Sequence, residues 1–262
     1  MEQAEKAELL RRLHHGPEIL VLPNVWDAAS ARVVQAQGFP AIATSSSGCA
    51  AVLGFLDGEI VPRERMIRLL TRIVEATDLP VTADLEAGYG DPVGTALAAI
   101  EAGAVGMNFE DFVDGQLVPL DEQCACIRAI RGAVGSAFVL NCRTDVYLRK
   151  IAGEDGVARL NAYRDAGADC LFAPGVVDAE AIESLVRAVK GPLNILAQPG
   201  SPSITEMHAL GVARVSFGSG PSRIALGALR RFAKELHEYG TFPALANEAI
   251  PFDEVQELLR RR

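Results

Sequence analysis

Apolar runs of four to seven residues alternate with amphipathic stretches from one end of the chain to the other. Eight of the runs read as strands, over residues 19–25, 41–46, 81–86, 105–110, 138–143, 170–173, 193–197 and 214–218. Most are continuously apolar rather than alternating, which is the pattern of strands buried on both faces of a parallel sheet. Between them lie stretches with helical spacing at 62–76, 93–102, 120–133, 156–166, 179–190 and 221–239. Pro62 and Pro221 open two of these, where the first helical turn tolerates a missing N–H.

A weak repeat marks the joints. Ala36-Gln37-Gly38-Phe39, Glu101-Ala102-Gly103-Ala104, Asp165-Ala166-Gly167-Ala168 and Ala209-Leu210-Gly211-Val212 each close a helix-like stretch and lead into a strand-like run. The glycine supplies the left-handed conformation that ends a helix and that β-carbon-bearing residues avoid. Four copies of one helix-to-strand joint, within a strict strand-helix alternation, predict repeated βα units: an α/β protein with a single (β/α)8 barrel over 1–262. Residues 1–16 read as a leading helix and 241–262 as a tail, interrupted by proline, that ends in a helix over 253–262.

Active sites of such barrels lie at the C-terminal ends of the strands, so the polar residues that close each run are the candidates. The third run ends Asp84-Leu85-Glu86-Ala87-Gly88-Tyr89-Gly90. Side chains two apart on a strand share a face, so Asp84 and Glu86 are expected to project together. Mg²⁺ is commonly held by one or two carboxylates and keeps its remaining positions for water and substrate oxygens. Asp84 is therefore the expected metal ligand, with Glu86 and Glu110 as further ligands or as acceptors for metal-bound water. Arg143, closing the fifth run, has the planar fork that grips a carboxylate or phosphate with two N–H groups. Ser45, Ser46, Ser47 and Gly48 form a turn able to donate hydroxyl and backbone hydrogens to an anionic oxygen. Asn194 on the seventh run is a further substrate contact. Asp111 and Asp145 read as carboxylates that support the site residues or the fold rather than as catalytic groups, and Arg143 has a competing role in neutralising Glu110.

Composition narrows the picture. With 262 residues, 49% hydrophobic and 23% charged, the chain is of ordinary size for one such barrel. Its net charge of −9 lacks the basic footprint of a nucleic-acid binder. No apolar run approaches the roughly 20 residues that span a bilayer, and the opening Met-Glu-Gln-Ala-Glu-Lys has no apolar signal segment, so a cytoplasmic location is expected. The five cysteines are scattered without a C-x-x-C pair, which predicts buried thiols rather than disulfides or zinc.

Taken together, and in this order, these segments resemble the isocitrate lyase and phosphoenolpyruvate mutase superfamily over residues 18–225. Pro23-Asn24-Val25-Trp26-Asp27-Ala28-Ala29-Ser30-Ala31 is similar to its opening strand and helix, and Thr44-Ser45-Ser46-Ser47-Gly48 to its substrate-oxygen turn. Asp57 in Leu56-Asp57-Gly58-Glu59 resembles the aspartate after that turn, and residues 84–90 resemble the Mg²⁺ motif D-x-[DE]-x-G-[YF]-G. Asn108-Phe109-Glu110-Asp111 and Asn141-Cys142-Arg143-Thr144-Asp145 resemble the next acidic strand end and the substrate-binding arginine. The resemblance implies Mg²⁺ or Mn²⁺, an enolate of a 2-oxo acid, and homodimers or homotetramers that in many members exchange the last barrel helix.

The departures from that family bear on the substrate. Isocitrate and methylisocitrate lyases carry a K-[KR]-C-G-H loop after the fourth strand, whereas residues 112–119 contain no Cys, Lys or His. The mutase loop with its lysine and asparagine is also missing. Leu196 and Ala197 stand where tricarboxylate lyases have polar residues. The leading expectation is C–C bond cleavage of a small 2-oxo or 2-hydroxy acid, as an oxaloacetate decarboxylase or hydrolase, with Asp57 positioning water or the leaving carboxylate. The alternatives are a phosphonomutase or phosphonopyruvate hydrolase, and a metal-dependent 2-oxo acid binding protein without turnover.

Overall fold

The computed structural model describes residues 1–260. Its main sheet is formed by β1 (Leu20–Leu22), β2 (Asn24–Val25), β3 (Ile42–Thr44), β4 (Val81–Asp84) and β5 (Gly106–Glu110). After a hairpin of β6 (Phe112–Val113) and β7 (Gln116–Leu117), it continues through β8 (Val139–Arg143), β9 (Cys170–Ala173), β10 (Leu193–Leu196) and β11 (Arg214–Ser216). All pairs in the nine-stranded sheet are parallel, in the order β1-β11-β10-β9-β8-β5-β4-β3-β2. The two ends of that order, β1 and β2, are consecutive in the chain and are interrupted only at Pro23, which has no N–H to give to a ladder. The first stave thus pairs with β11 through its first half and with β3 through its second, and the sheet closes as a barrel.

The helices between the staves fall where the spacing places them, at Arg63–Glu75, Pro92–Glu101, Leu120–Val134, Gly156–Ala166, Ala179–Ala188 and Gly220–Tyr239. Gly38, Gly103, Gly167 and Gly211 at the repeated joints all hold positive φ, between 80° and 121°. The expected C-terminal helix is found as Phe252–Leu259, packed against helix Ala28–Ala36, and positions 261–262 lie outside the described residues. The strand expected over 81–86 stops at Asp84, and the run expected over 41–46 ends at Thr44, with Ser46 already helical.

Alternation along the staves sorts the side chains. Outward residues such as Val25, Ile42, Ala83, Phe109, Leu140, Leu171, Ile195 and Val215 join the apolar core beneath the helices. The inward residues form three storeys. The floor is apolar: Leu20, Leu22, Ala41, Ala43 and Val139 meet Ala7 and Leu10 of the leading helix Gln3–Leu13, which plugs the barrel bottom. Truncating Leu10 to Ala there would cost about 2–5 kcal/mol. The middle storey is polar and buried, with Thr82, Asn108, Asn141, Asn194, Arg214 and Ser216. The upper storey carries Asp84, Glu110, Arg143 and Leu196, each two residues beyond a middle-storey residue of its own stave, and Phe172.

Arg214 has no exposed surface, and its guanidinium is held by neutral acceptors. Nη2 donates to Asn108 Oδ1 at 3.2 Å, and Nη1 lies 3.4 Å from His14 Nε2. His14 Nδ1 is 2.7 Å from the Leu10 carbonyl oxygen. A carbonyl only accepts, so Nδ1 carries the proton and Nε2 is the lone pair facing the arginine. Burial first, and then the Arg214 charge, push the His14 pKa down to about 3.

Candidate active site

The carboxylates at the barrel mouth are fixed by donors from neighbouring staves. Asp84 is the last residue of β4, and its N–H donates to Thr44 Oγ1 at 2.8 Å. Ser46 opens helix Ser46–Leu53, where Ser45 is the N-cap and accepts from the Gly48 N–H at 3.3 Å. The serine segment is therefore the first turn of a helix rather than a free turn. Ser46 directs both its N–H (3.0 Å) and its hydroxyl (2.9 Å) to Asp84 Oδ2. Asp84 Oδ1 is buried without a hydrogen-bond partner.

Glu86 lies beyond the strand, which corrects the expectation that it shares a strand face with Asp84. Its backbone is left-handed, with φ 53°. The turn is forced by Gly88 (φ 93°), where a β-carbon would stand 2.6 Å from Pro92 Cα. The Glu86 carboxylate accepts from the Glu59 N–H at 2.6 Å and from the Tyr89 hydroxyl at 2.8 Å. Burial, and then the nearby Asp84 charge, raise its pKa to about 7.

Arg143 ends β8 between two carboxylates. Its Nη1 is 2.7 Å from Glu110 Oε2, and its Nε and Nη2 reach the two oxygens of Asp145 at 2.5 and 3.0 Å. The guanidinium lies over the Phe172 ring, 5.9 Å from its centroid. Three of its five N–H donors are engaged in these bonds, and two remain for a ligand. Burial raises the Glu110 pKa well above its usual range although Arg143 pulls it down. Asp145 is itself fixed by Asp111, which accepts the Asp145 N–H at 2.9 Å, the Thr144 hydroxyl at 2.7 Å and the Tyr163 hydroxyl at 2.5 Å.

Asp57 stands at the open side of the mouth near Ser46, and its pKa is raised by desolvation and by the Asp84 charge. The structure thus brings together Asp57, Asp84, Glu86, Glu110, Arg143 and Ser46, whose charges or hydrogen bonds act on one another. Asn194 is not among them: it lies one storey lower and exchanges bonds with Ser216 at 3.3 Å. Sequence reasoning gave Glu59 no role, and it read Asp145 as a supporting or structural carboxylate, which is how Asp145 stands against Arg143. Asp145 stands two positions after Arg143, a spacing that is visible in the chain.

Among the described residues, no group of three or more His, Cys, Asp or Glu stands ready to hold a metal, so Asp84, Glu86 and Glu110 do not form a three-carboxylate cage. The donor set still fits Mg²⁺. The buried, unpartnered Asp84 Oδ1 offers one direct oxygen, and Glu86 and Glu110 stand where they can accept from water on the ion.

The chain and its fold have known counterparts. The chain belongs to the phosphoenolpyruvate phosphomutase family. The family's sequence model matches residues 10–237, which places the chain in the isocitrate lyase and phosphoenolpyruvate mutase superfamily, whose members include lyases and mutases. An uncharacterised protein of Mycobacterium tuberculosis is 35% identical over 94% of each chain. A solved structure from Burkholderia cenocepacia J2315, provisionally described as a lyase/mutase, is 40% identical with a TM-score of 0.90, covering 97% of this chain and 96% of that one. Oxaloacetate acetylhydrolase, solved with the inhibitor 3,3-difluorooxalacetate, is 27% identical with a TM-score of 0.88, covering 99% and 94%. No helix among the described residues is long and apolar enough to cross a membrane.

Proposed function

We propose that this protein cleaves a C–C bond in a small 2-oxo or 2-hydroxy acid with the help of Mg²⁺ or Mn²⁺, oxaloacetate being the simplest such substrate. The observation that carries the reading is the buried Asp84 Oδ1, left without a partner beside an arginine that keeps two donors free. Asp84 would hold the ion directly, with Glu86 and Glu110 orienting its waters. When bound, the cation supplies Lewis-acid stabilisation of the negative charge that develops on a substrate oxygen as the bond breaks.

The chain's own residues account for the remaining requirements. Arg143, braced by Glu110 and Asp145, grips the substrate carboxylate without losing orientational freedom on binding. Asp57 holds a water or the leaving carboxylate at the open side, and its raised pKa lets it keep a proton closer to neutrality than an ordinary aspartate. The hairpin of β6 and β7 stands where the lyases carry their cysteine loop, and it brings no proton-handling thiol to the mouth. That favours decarboxylation or hydrolysis over lyase chemistry that needs a proton relay.

The test is proton NMR of the protein with Mg²⁺ and oxaloacetate against a metal-only background. Pyruvate above background identifies a decarboxylase, and acetate with oxalate a hydrolase. Consumption of phosphonopyruvate but not oxaloacetate would overturn the reading in favour of phosphonate chemistry. Mg²⁺-dependent binding of oxalate without turnover of either acid would mark a binding protein.

A further inference from the structure

Among the described residues, five other than glycine hold a left-handed backbone, and three of these, Glu59 (φ 60°), Glu86 (φ 53°) and Tyr89 (φ 54°), are bonded to one another. The Glu59 N–H donates to Glu86 Oε2 at 2.6 Å. The Tyr89 N–H donates to Glu59 Oε1 at 2.6 Å, and the Tyr89 hydroxyl donates to Glu86 Oε1 at 2.8 Å. Each residue is tied to both others, so the ring is closed.

Such backbones persist in residues with a β-carbon only where the surroundings over-determine them, and they cluster at functional sites. The ring joins two separate segments of the mouth. Glu86 and Tyr89 belong to the turn that follows Asp84, whereas Glu59 follows Asp57 by two residues across Gly58, itself at φ 96°. Among the described residues, Glu59 supplies the one backbone group between 56 and 60 that hydrogen-bonds to a distant part of the chain. Asp57 itself lies near Ser46, Asp84 and Arg143. Without the ring, Gly58 would leave Asp57 free to swing.

We infer that Glu59 is a positioning residue, whose backbone N–H and carboxylate latch the Asp57 segment onto the Asp84–Gly90 turn and so place Asp57 beside Ser46 and Asp84. The same latch fixes the Glu86 carboxylate, one of whose bonds is to the Glu59 N–H. The inference rests on the role proposed above for Asp57.

Two substitutions separate positioning from mere structure. Glu59→Gly removes the acceptor of the Tyr89 N–H but relieves the left-handed backbone of its β-carbon, so the two effects on folding oppose each other. Glu59→Gln keeps both the backbone N–H and an acceptor for Tyr89. With Mg²⁺ and oxaloacetate, Glu59→Gly should lower kcat by about tenfold or more, the scale of an outer supporting contact, while changing the thermal midpoint little. Glu59→Gln should restore most of kcat. In an Asp57→Asn background Glu59→Gly should add no further loss, because the residue it positions is already disabled. A Glu59→Gly enzyme with wild-type kcat, or losses that simply multiply with Asp57→Asn, would overturn the inference.

Amide hydrogen exchange tests the latch without reference to substrate. The Glu59 and Tyr89 amides of the wild-type protein should be protected, and residues 55–60 and Tyr89 should exchange faster in Glu59→Gly. Unprotected amides in the wild type would refute the latch whatever the activity. A wild type that turns over no 2-oxo acid would refute the proposed function, and the exchange rates of residues 55–60 would then decide the latch alone.

Discussion

Ser46 spends both its backbone N–H and its hydroxyl on one oxygen of Asp84, Oδ2, and leaves Oδ1 buried with nothing to accept. A carboxylate held in this way is fixed in rotation and carries one lone-pair face directed to a missing donor. Burying such an oxygen is unfavourable unless something cationic or protic meets it.

Replacing Asp84 with Ala should therefore remove the metal response together with the activity. Mg²⁺ should raise the thermal midpoint of the wild-type protein through binding to the folded state, and it should not raise that of Asp84→Ala. Metal-dependent turnover should fall more than about 100-fold, beyond the range usual for outer-layer partners. Melts with and without Mg²⁺, beside the NMR assay, check both. An Asp84→Ala protein that still responds to Mg²⁺ would place the ion elsewhere.

Arg143 separates binding from stability. Arg143→Lys keeps a charge between Glu110 and Asp145 but loses the fork, so KM should rise by about tenfold or more with little change in urea midpoint. Arg143→Met leaves the Glu110 and Asp145 carboxylates facing each other in a buried setting. Breaking a buried pair from one side costs about 3–5 kcal/mol, which urea denaturation should register.

His14 gives the fold a pH dependence that does not involve the mouth. Its pKa is about 3 in the folded protein against 6.5 as an ordinary histidine. The folded state thus binds fewer protons than the unfolded one, and the stability owed to neutral His14 is intact above pH 6.5 and lost as pH falls from there towards 3. Between pH 7.5 and 5.5 the loss amounts to about 1.4 kcal/mol. His14→Gln, which keeps an acceptor for Arg214, should flatten this slope in chemical denaturation measured across that window. An unchanged slope would show that the histidine is not held neutral.

Helix Gly220–Tyr239 buries only Ser222 among its residues and leaves Ile224, Leu226, Leu229, Leu236 and Tyr239 exposed. Large apolar side chains exposed together along one helix are the kind of surface that self-association would bury. Two or four copies of the chain should therefore associate in solution. Light scattering coupled to size exclusion should report a dimer or tetramer, and Ile224→Lys combined with Leu229→Lys should shift it to smaller species. A wild-type protein that stays monomeric at micromolar concentration would refute this.

The barrel was legible because its staves are continuous apolar runs and its helix ends repeat one glycine joint, both local patterns. Asp84, Glu110 and Arg143 were legible because they close those runs and alternation alone sets their direction. Glu86 was misplaced because the strand period stops at Asp84: the turn beyond it is dictated by Gly88 against Pro92 and by a ring that includes Glu59, 27 residues upstream. The serine segment reads locally as a turn because Ser-Ser-Ser-Gly suits a turn and a helix N-cap alike, and the structure takes the second with Ser45 as the cap. The meeting of His14 with Arg214 joins residues 200 apart, and no window along the chain contains both.

Successive inward positions on one stave lie two residues, or roughly 6–7 Å, apart. What keeps the barrel shut is set mainly by the lower positions, and what the mouth does is set by Asp84, Glu110 and Arg143 at the top together with Ser46, Asp57 and Glu86 beyond the strands. An exchange at the top that keeps the local charge balance, as Arg143→Lys does, can therefore change the chemistry while the strand that carries it goes on folding as before. Proteins that share this scaffold need not share a substrate, and divergence among them should be concentrated in a ring of residues one side chain deep.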